Sequence, residues 1–179
     1  MQKTILLFFT FLILLSSCNN PVTSEKSTPR PKVNEDDLVA RLAVELIASP
    51  HTQKEKDQNI IINYAIDKLL DVQATDSGLY YQILKEGQGE KAKWGDYVRV
   101  NYKGTLTNGK PFDAAKKYQF YVGNMIAGWN EGLALMNKGS KAIFLIPSHL
   151  AYGEKGLGKI IPPNAVLIFE LELLDVAHR

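Results

Sequence analysis

The hydrophobic pattern begins with one short apolar stretch near the amino end. Residues 5–15 are apolar apart from Thr10, and a single positive charge, Lys3, precedes them. A helix needs about 20 apolar residues to cross a bilayer, so this stretch is typical of the hydrophobic region of a secretory signal peptide. We therefore expect residues 1–17 to be a signal peptide and the protein to be exported.

The next residues, 18–33, have almost no apolar side chains. Pro21, Pro29 and Pro31 lie there among Ser, Thr, Asn and charged residues. Such a segment cannot bury enough apolar surface to fold by itself. It is predicted to be a flexible tether.

Two stretches of helical spacing follow and predict a small helical hairpin over residues 34–75. In the first stretch, Asn34 can cap the acidic turn 35–37, and the pattern ends near Pro50. The second runs from Gln53 to Val72. Their apolar stripes consist of Val39, Leu42, Ala43, Leu46 and Ile47 in the first helix and Ile61, Ile62, Ala65, Ile66 and Leu69 in the second. These stripes either pack on their own domain or on each other, or they form a homodimer interface through residues 35–72.

Beyond Ser77 the hydrophobic period changes to two, which predicts strands. Asn108-Gly109 predicts a tight turn, and Pro111 after it favours an edge strand or a loop. Strands are expected around residues 79–83, 98–103, 142–146 and 166–176, and one short helix is expected from the spacing of Ile126, Trp129, Leu133 and Met136. Strands that flank a single helix indicate an α+β domain.

The composition is that of an ordinary globular protein, with 45% hydrophobic and 22% charged residues. The formal net charge is +2, from 21 basic and 19 acidic side chains. Proteins that bind nucleic acid concentrate positive charge far more strongly. We therefore expect no nucleic-acid partner.

Cys18 is the only cysteine, and it follows Leu15-Ser16-Ser17 at the end of the apolar stretch. This arrangement resembles a bacterial lipobox, in which the cysteine receives a lipid; a free thiol or an intermolecular disulfide is the alternative. The lipobox predicts lipidation of Cys18 and a bacterial membrane as partner, with the protein facing the periplasm or the cell exterior. Asn19 resembles the residue found in lipoproteins sent to the outer membrane of some diderm bacteria, so we expect the outer membrane.

The usual reactive motifs are missing from the sequence. His51, His149 and His178 are isolated, and there is no zinc-binding His-Glu-x-x-His, no Gly-x-Ser-x-Gly elbow and no Walker-type phosphate loop. Ser148 is adjacent to His149, which places the two side chains on opposite sides of an extended chain. The glycines of residues 153–159 predict a flexible loop. No metal site and no cofactor are expected.

Six short blocks in the second half of the chain combine aromatic residues with turn residues in a fixed order. They are Val100–Gly104, Asn108–Asp113, Ile126–Gly132, Ala151–Gly153, Ile160–Ala165 and Leu167–Leu174. In this order and spacing the blocks resemble the FKBP-type peptidyl-prolyl isomerase domain, which we place at residues 77–179. The preceding helices and lipobox resemble the exported bacterial lipoprotein members of that family.

The resemblance implies an antiparallel sheet of five or six strands wrapped around the short helix, with the active pocket between them. It also implies the site residues: Asp113, Tyr152 and Phe169 as catalytic, and Tyr102, Phe112, Tyr118, Met125, Ile126, Trp129, Ile160 and Ile161 as substrate-binding. Trp129 is expected at the pocket floor. Tyr118 stands where the family usually has a phenylalanine in the pocket wall, and the stretch between Asp113 and Tyr118 is a few residues shorter than in the best-known members. Without the resemblance, Trp129 and Phe169 would be assigned to an ordinary core.

The implied activity is cis/trans isomerisation of X-Pro bonds in proline-containing polypeptides. This rotation breaks no bond and needs no nucleophile, metal or cofactor, because the obstacle is amide resonance. The absence of reactive motifs is therefore compatible with this activity. The alternative function is a chaperone or scaffold module that binds client chains with little or no turnover.

Overall fold

A computed structural model of the chain describes residues 34–178. The predicted signal peptide (residues 1–17), the tether (18–33) and the lipidation site Cys18 lie outside these residues. Residues 34–178 all belong to one compact unit. Within residues 34–178, no helix combines the length and the apolar character needed to span a membrane.

Six strands form one antiparallel sheet, in the order β1-β2-β5-β6-β3-β4. The elements in chain order are α1 (Glu35–Ala43), α2 (Gln53–Asp67), β1 (Gln73–Ala74), β2 (Tyr80–Lys85), β3 (Tyr97–Leu106), β4 (Pro111–Tyr121), α3 (Ala127–Leu133), β5 (Lys141–Ile146) and β6 (Leu167–Ala177), with 3₁₀ turns at Ser148–Leu150 and Gly153–Lys155. The predicted α+β fold, an antiparallel sheet with one short helix and a preceding helical hairpin, is confirmed. The predicted turn at Asn108-Gly109 joins β3 to β4, and β4 is an edge strand, as Pro111 indicated.

One face of the sheet forms the main core with α3. The pairing aligns Tyr81, Phe144, Phe169, Gly104 and Asp113 in a row across five strands. Residues that are directly opposite in neighbouring antiparallel strands share a face, so this row points towards α3. The core on this side includes Trp129, Leu133 and Met136, all at most 1% exposed. The row leads from the buried core at Phe144 to the sheet edge at Asp113.

The opposite face of the sheet is covered by the helical hairpin. Tyr80, Leu145 and Ile168 are aligned in the next row across the strands. These three side chains form a buried cluster with side chains of α1 and α2, including Leu42 and Ile61. The buried residues of the predicted stripe therefore pack on their own domain, the first of the two alternatives, and are not available to the predicted homodimer interface. They are Leu42, Ile61, Ile62 and Ala65.

The first helix ends earlier than the sequence predicts, at Ala43 and not near Pro50. The backbone beyond it is held by amide side chains of α2: Asn59 bonds both the N–H and the carbonyl of Ile47, at 2.9 and 2.8 Å, and Gln58 donates to the carbonyl of Glu45 at 2.8 Å. The buried face of α1 consists of Leu38 and Leu42, whereas Val39 is only partly buried and Ala43 is exposed.

The second helix also differs from the prediction at its carboxyl end. It begins at Gln53 as predicted, because Thr52 and Glu55 form a capping box with bonds of 3.2 and 2.8 Å. It ends at Asp67, five residues before Val72. Leu69 adopts a φ of 51°, which a helix cannot contain, and it lies 45% exposed outside the stripe.

The carboxyl end of β6 is joined to the start of β3 through His178. Its Nδ1 lies 2.9 Å from Asp96 Oδ2, and its Nε2 lies 2.9 Å from Glu90 Oε2. The hydrogen bond to Asp96, together with the charges of both carboxylates, raises the pKa of His178 above 6.5. The imidazole is therefore stabilised in its protonated form.

Candidate active site

A cavity of about 470 Å³ opens between the outer strands of the sheet, the start of α3 and the loop that follows the 3₁₀ turns. It is lined by Tyr102, Phe112, Asp113, Asn124, Met125, Ile126, Trp129, Tyr152, Leu157, Ile160, Ile161 and Phe169. The structure thus brings together every predicted pocket residue except Tyr118. It adds two residues that sequence reasoning missed, Asn124 and Leu157.

The floor and inner walls of the cavity are aromatic rings that meet edge to face. Trp129 is 1% exposed, and its ring centroid lies 4.9 Å from that of Tyr102 and 5.1 Å from that of Phe169. The ring of Phe112 meets Phe169 at 5.4 Å, almost perpendicular. Such contacts fix the orientation of each ring, because the positive edge of one faces the negative surface of the next. The apolar surface inside the cavity is therefore rigid.

Two features of the backbone let these rings converge. The pairing of β3 and β4 is irregular between Gly104 and Thr105, where Phe112 is the extra residue, so the adjacent residues Phe112 and Asp113 both line the cavity. Gly104 lies beneath the rings: a Cβ there would be 2.6 Å from Phe112 Cζ and 2.8 Å from Phe169 Cε1. The close approach of the two walls therefore requires glycine at position 104.

The mouth of the cavity holds one carboxylate and two phenols. The hydroxyl of Tyr102 donates a hydrogen bond to Asp113 Oδ2 at 2.7 Å. Burial, together with this hydrogen bond, raises the pKa of Tyr102 well above its usual 10, and burial together with the charge of Asp113 raises the pKa of Tyr152. Both phenols are therefore neutral O–H groups at neutral pH.

The start of α3 presents a backbone donor to the cavity. Ile126 precedes the first helical residue, and its carbonyl accepts from the amides of Trp129 and Asn130 at 3.0 and 3.2 Å. Its own N–H donates to no group within residues 34–178. As the orphan donors of a helix start require a partner, this N–H can bond a ligand in the cavity.

The loop between β4 and α3 is held by the buried side chain of Asn130. Its Oδ1 accepts from the amides of Gly123 and Met125 at 2.9 and 3.3 Å, and its Nδ2 donates to the carbonyl of Met125 at 2.7 Å. Asn130 is only 8% exposed. Sequence reasoning missed this residue, although an amide directly after Trp129 in the short helix was a usable signal.

One side of the cavity mouth is apolar. Ile160 and Leu157 are 55% and 45% exposed there, whereas Ile161 is 2% exposed and packs in the core. The amide of Leu157 donates to the carbonyl of Ile161 at 2.8 Å. Leu157 was missed because it lies among the glycines that predicted a flexible loop, and this segment in fact forms part of the cavity mouth.

Tyr118 lies outside the cavity, in contrast to the prediction. Its ring is 41% exposed and touches Tyr102 and Phe120 at centroid distances of 5.9 and 5.6 Å. The short stretch before it bulges: Lys117 adopts a φ of 55°, and its amide donates to Asn101 Oδ1 at 2.9 Å. The bulge sets the register so that Tyr118 supports the outer side of Tyr102 and does not form a wall.

Ser148 and His149 do not form a nucleophilic pair. The hydroxyl and the amide of Ser148 both donate to Asp57 Oδ2, at 2.6 and 2.8 Å, whereas His149 Nε2 lies 3.0 Å from the carbonyl oxygen of Ser77. Asp57 is fully buried and also accepts from Gln53 at 2.6 Å. This contact ties α2 to the segment that leads into Tyr152.

Comparisons with known proteins agree on one family. The family model for FKBP-type peptidyl-prolyl cis-trans isomerases matches residues 88–174. A probable FKBP-type isomerase of Haemophilus influenzae is 44% identical over 127 residues, which cover 69% of this chain and 52% of that protein. FK506-binding protein 1 of Debaryomyces hansenii is 46% identical over 102 residues, covering 53% of this chain and 91% of that protein.

The fold agrees as well. The crystal structure of FkpA from Escherichia coli superposes with a TM-score of 0.64 at 38% identity and covers 77% of this chain and 63% of that one. This chain spans about half the length of the Haemophilus influenzae relative, 52%, and 40% of the curated FkpA sequence of Escherichia coli. The sequence motifs, the antiparallel sheet with its aromatic cavity and these matches lead to one conclusion: the chain belongs to the FKBP-type peptidyl-prolyl cis-trans isomerase family.

Proposed function

We propose that this protein accelerates cis/trans rotation about X-Pro bonds in unfolded or folding polypeptides by binding the twisted amide in the cavity above Trp129. The observation that supports this most directly is the combination of a rigid aromatic interior with neutral hydrogen-bond donors at the rim. A pyrrolidine ring is compact and apolar, and it fits such an interior.

The chemistry follows from the electronic change during rotation. A planar amide is stabilised by resonance, which creates a barrier of about 18–20 kcal/mol. Conjugation is lost in the twisted state, the nitrogen becomes pyramidal and the amide is less dipolar. An apolar cavity disfavours the dipolar planar amide more than the twisted one, so it binds the transition state better than the ground state.

The polar groups at the rim hold the substrate in the orientation that this twist requires. The hydroxyl of Tyr152 and the N–H of Ile126 donate to carbonyls that flank the proline. The carboxylate of Asp113, which Tyr102 holds in place at 2.7 Å, acts through its charge near the rotating amide. Asp113 is not a general base, because the reaction transfers no proton.

A pair of matched variants tests this assignment. Phe169 and Phe144 are directly paired in neighbouring strands and both are buried, but only Phe169 lines the cavity. In a protease-coupled assay on short X-Pro peptides, Phe169→Leu should lower kcat/KM at least about tenfold, because it removes an aromatic wall. Phe144→Leu should lose comparable stability and keep most of the activity.

Three outcomes separate the possibilities. Selective loss in Phe169→Leu supports the proposed site. Equal losses in two folded variants would contradict it, because activity would then follow core packing in general. A folded wild-type protein that binds proline peptides without accelerating their isomerisation would favour the client-binding module.

We also propose that the protein is exported and anchored through a lipid on Cys18, at the outer membrane. Support comes from the apolar stretch 5–15 and the small residues Ser16 and Ser17 before the cysteine. Mass spectrometry of the mature amino terminus tests this proposal. An unmodified thiol at Cys18 would refute it.

A further inference from the structure

Three aromatic side chains near the start of β3 and the end of β4 are unusually exposed. We refer to Trp94, Tyr97 and Tyr121 as the aromatic shelf. Trp94 is 75% exposed, Tyr97 38% and Tyr121 40%. Tyr97 and Tyr121 are directly paired across β3 and β4, with ring centroids 4.8 Å apart. A contiguous exposed group of large aromatic residues is typical of an interaction site, whereas single exposed apolar residues are not.

The shelf is ordered by contacts beneath it. The ring of Trp94 lies so close to Gly123 that a Cβ there would be 2.9 Å from Trp94 Cε2 and Cζ2. The next residue, Gly95, donates its amide to the carbonyl of Val122 at 2.9 Å. The indole is therefore held against the loop before α3 although most of its surface faces solvent. A side chain that is already in place loses little conformational freedom when it binds a ligand.

The shelf and the proposed active cavity border the same loop, between β4 and α3. Trp94 and Tyr121 border a hollow of about 260 Å³, whose remaining lining is Gly95, Val122, Gly123 and Asn124. Asn124 also lines the active cavity, so a single loop borders both hollows. A polypeptide that occupied both hollows would pass along this loop, and an extended chain advances about 3.3–3.6 Å per residue.

The lining indicates what the second hollow can accept. It combines two aromatic residues with two glycines, Val122 and the polar residue Asn124, and it contains no charged residue. Aromatic rings suit an apolar side chain, and backbone groups suit the N–H and carbonyl groups of the peptide that carries it. An uncharged segment of an unfolded polypeptide has both.

We infer that the aromatic shelf is a second subsite for the same substrate polypeptide and takes an aromatic or large aliphatic side chain located a few residues from the proline. This inference rests on the proposed isomerase function. The active cavity recognises the proline, and the shelf selects apolar segments, which are exposed in unfolded chains and buried in folded ones. The shelf thereby directs the enzyme to substrates that are still folding.

The two tryptophans of the chain make a direct test possible. Trp129 lies at the floor of the cavity and Trp94 on the shelf, so their indole N–H signals in NMR spectra report on the two sites separately. The probes are peptides with one proline and one phenylalanine placed one to six residues away on either side, and matched peptides with alanine in place of phenylalanine. We expect the Trp94 signal to shift with at least one phenylalanine peptide and to respond far less to its alanine match.

The two proposals fail differently in this experiment. A Trp94 signal that responds to no peptide in the series overturns the second subsite. A Trp129 signal that responds to none contradicts the proposed function. Shelf-dependent self-association, seen as a dimer in light scattering that Trp94→Ala abolishes, would assign the shelf to a second copy of the chain and overturn the inference.

Kinetics provide a second readout. The wild-type protein should show a higher kcat/KM for the best phenylalanine peptide than for its alanine match, mainly through KM. Trp94→Ala should reduce this preference about five- to tenfold, because it removes the largest ring of the shelf. Val44→Ala, at an 82% exposed position beyond α1, is the control and should keep the preference. A preference that survives in Trp94→Ala would overturn the inference.

Discussion

The substitution Gly104→Ala should disturb the active cavity by adding a single methyl group. The new Cβ would lie 2.6 Å from Phe112 Cζ and 2.8 Å from Phe169 Cε1, whereas ordinary van der Waals contact begins at 3.4 Å. The Phe112 ring must therefore move by about 0.8 Å, and overpacking of this kind typically costs 1–3 kcal/mol of the free energy of unfolding. Misplacement on this scale lowers activity by up to about 100-fold, so we expect kcat/KM to fall about 10- to 100-fold.

The matched control is Gly109→Ala in the turn between β3 and β4. Gly109 has a φ of 82°, and a Cβ there would meet nothing within 4 Å. Alanine at this φ costs about 1–2 kcal/mol, a stability loss similar to that at position 104 but with no displaced ring. Urea unfolding gives the stability of both variants, and the protease-coupled assay gives their kcat/KM. If folded Gly104→Ala keeps the activity of Gly109→Ala, the spacing of the cavity walls does not control catalysis.

Three further predictions concern polar contacts. Tyr102→Phe removes the hydrogen-bond donor to Asp113 but keeps the ring. Urea unfolding should show that the free energy of unfolding falls by about 1 kcal/mol, and kcat/KM should fall several-fold. An unchanged kcat/KM would contradict the role of this hydrogen bond in catalysis. Ser148→Ala leaves buried Asp57 with one hydrogen bond fewer and should cost about 1.5–3 kcal/mol, also by urea unfolding; a loss below about 0.5 kcal/mol would refute this. The pKa of His178 is raised above 6.5 in the folded protein, so the contribution of this side chain to stability is complete below about pH 6.5 and is lost as pH rises through the raised pKa. The urea midpoint of the wild type should therefore fall as pH rises through that pKa, whereas the midpoint of His178→Gln should not. Equal pH profiles of the two proteins would contradict this prediction.

The sequence predicted the sheet better than the ends of the helices, for a physical reason. Strand alternation and the Asn108-Gly109 turn are local patterns. The end of α1 depends on Asn59 and Gln58 of the next helix, which bond the backbone beyond Ala43. The residues near Pro50 have no local signal that reveals these contacts.

The site residues could be anticipated from the family resemblance, but their geometry could not. The sequence contains Gly104, Phe112 and Phe169 without indicating that two rings meet above the glycine. For Tyr118 the resemblance predicted a place in the cavity wall that the side chain does not occupy. The register of β4 depends on the bulge at Lys117, and a bulge of one residue changes which side chains reach the cavity.

The row Tyr80, Leu145 and Ile168 bears on how this fold can be recombined in evolution. These side chains lie on central strands, and α1 and α2 cover them. A gene fragment that encoded only the sheet and α3 would therefore leave an apolar strip uncovered and prone to aggregation. To exchange the helical hairpin for another module, or to lose it, a lineage must also change the residues of this row. Because the hairpin covers this face of the sheet, we expect the hairpin and the catalytic part to be inherited together.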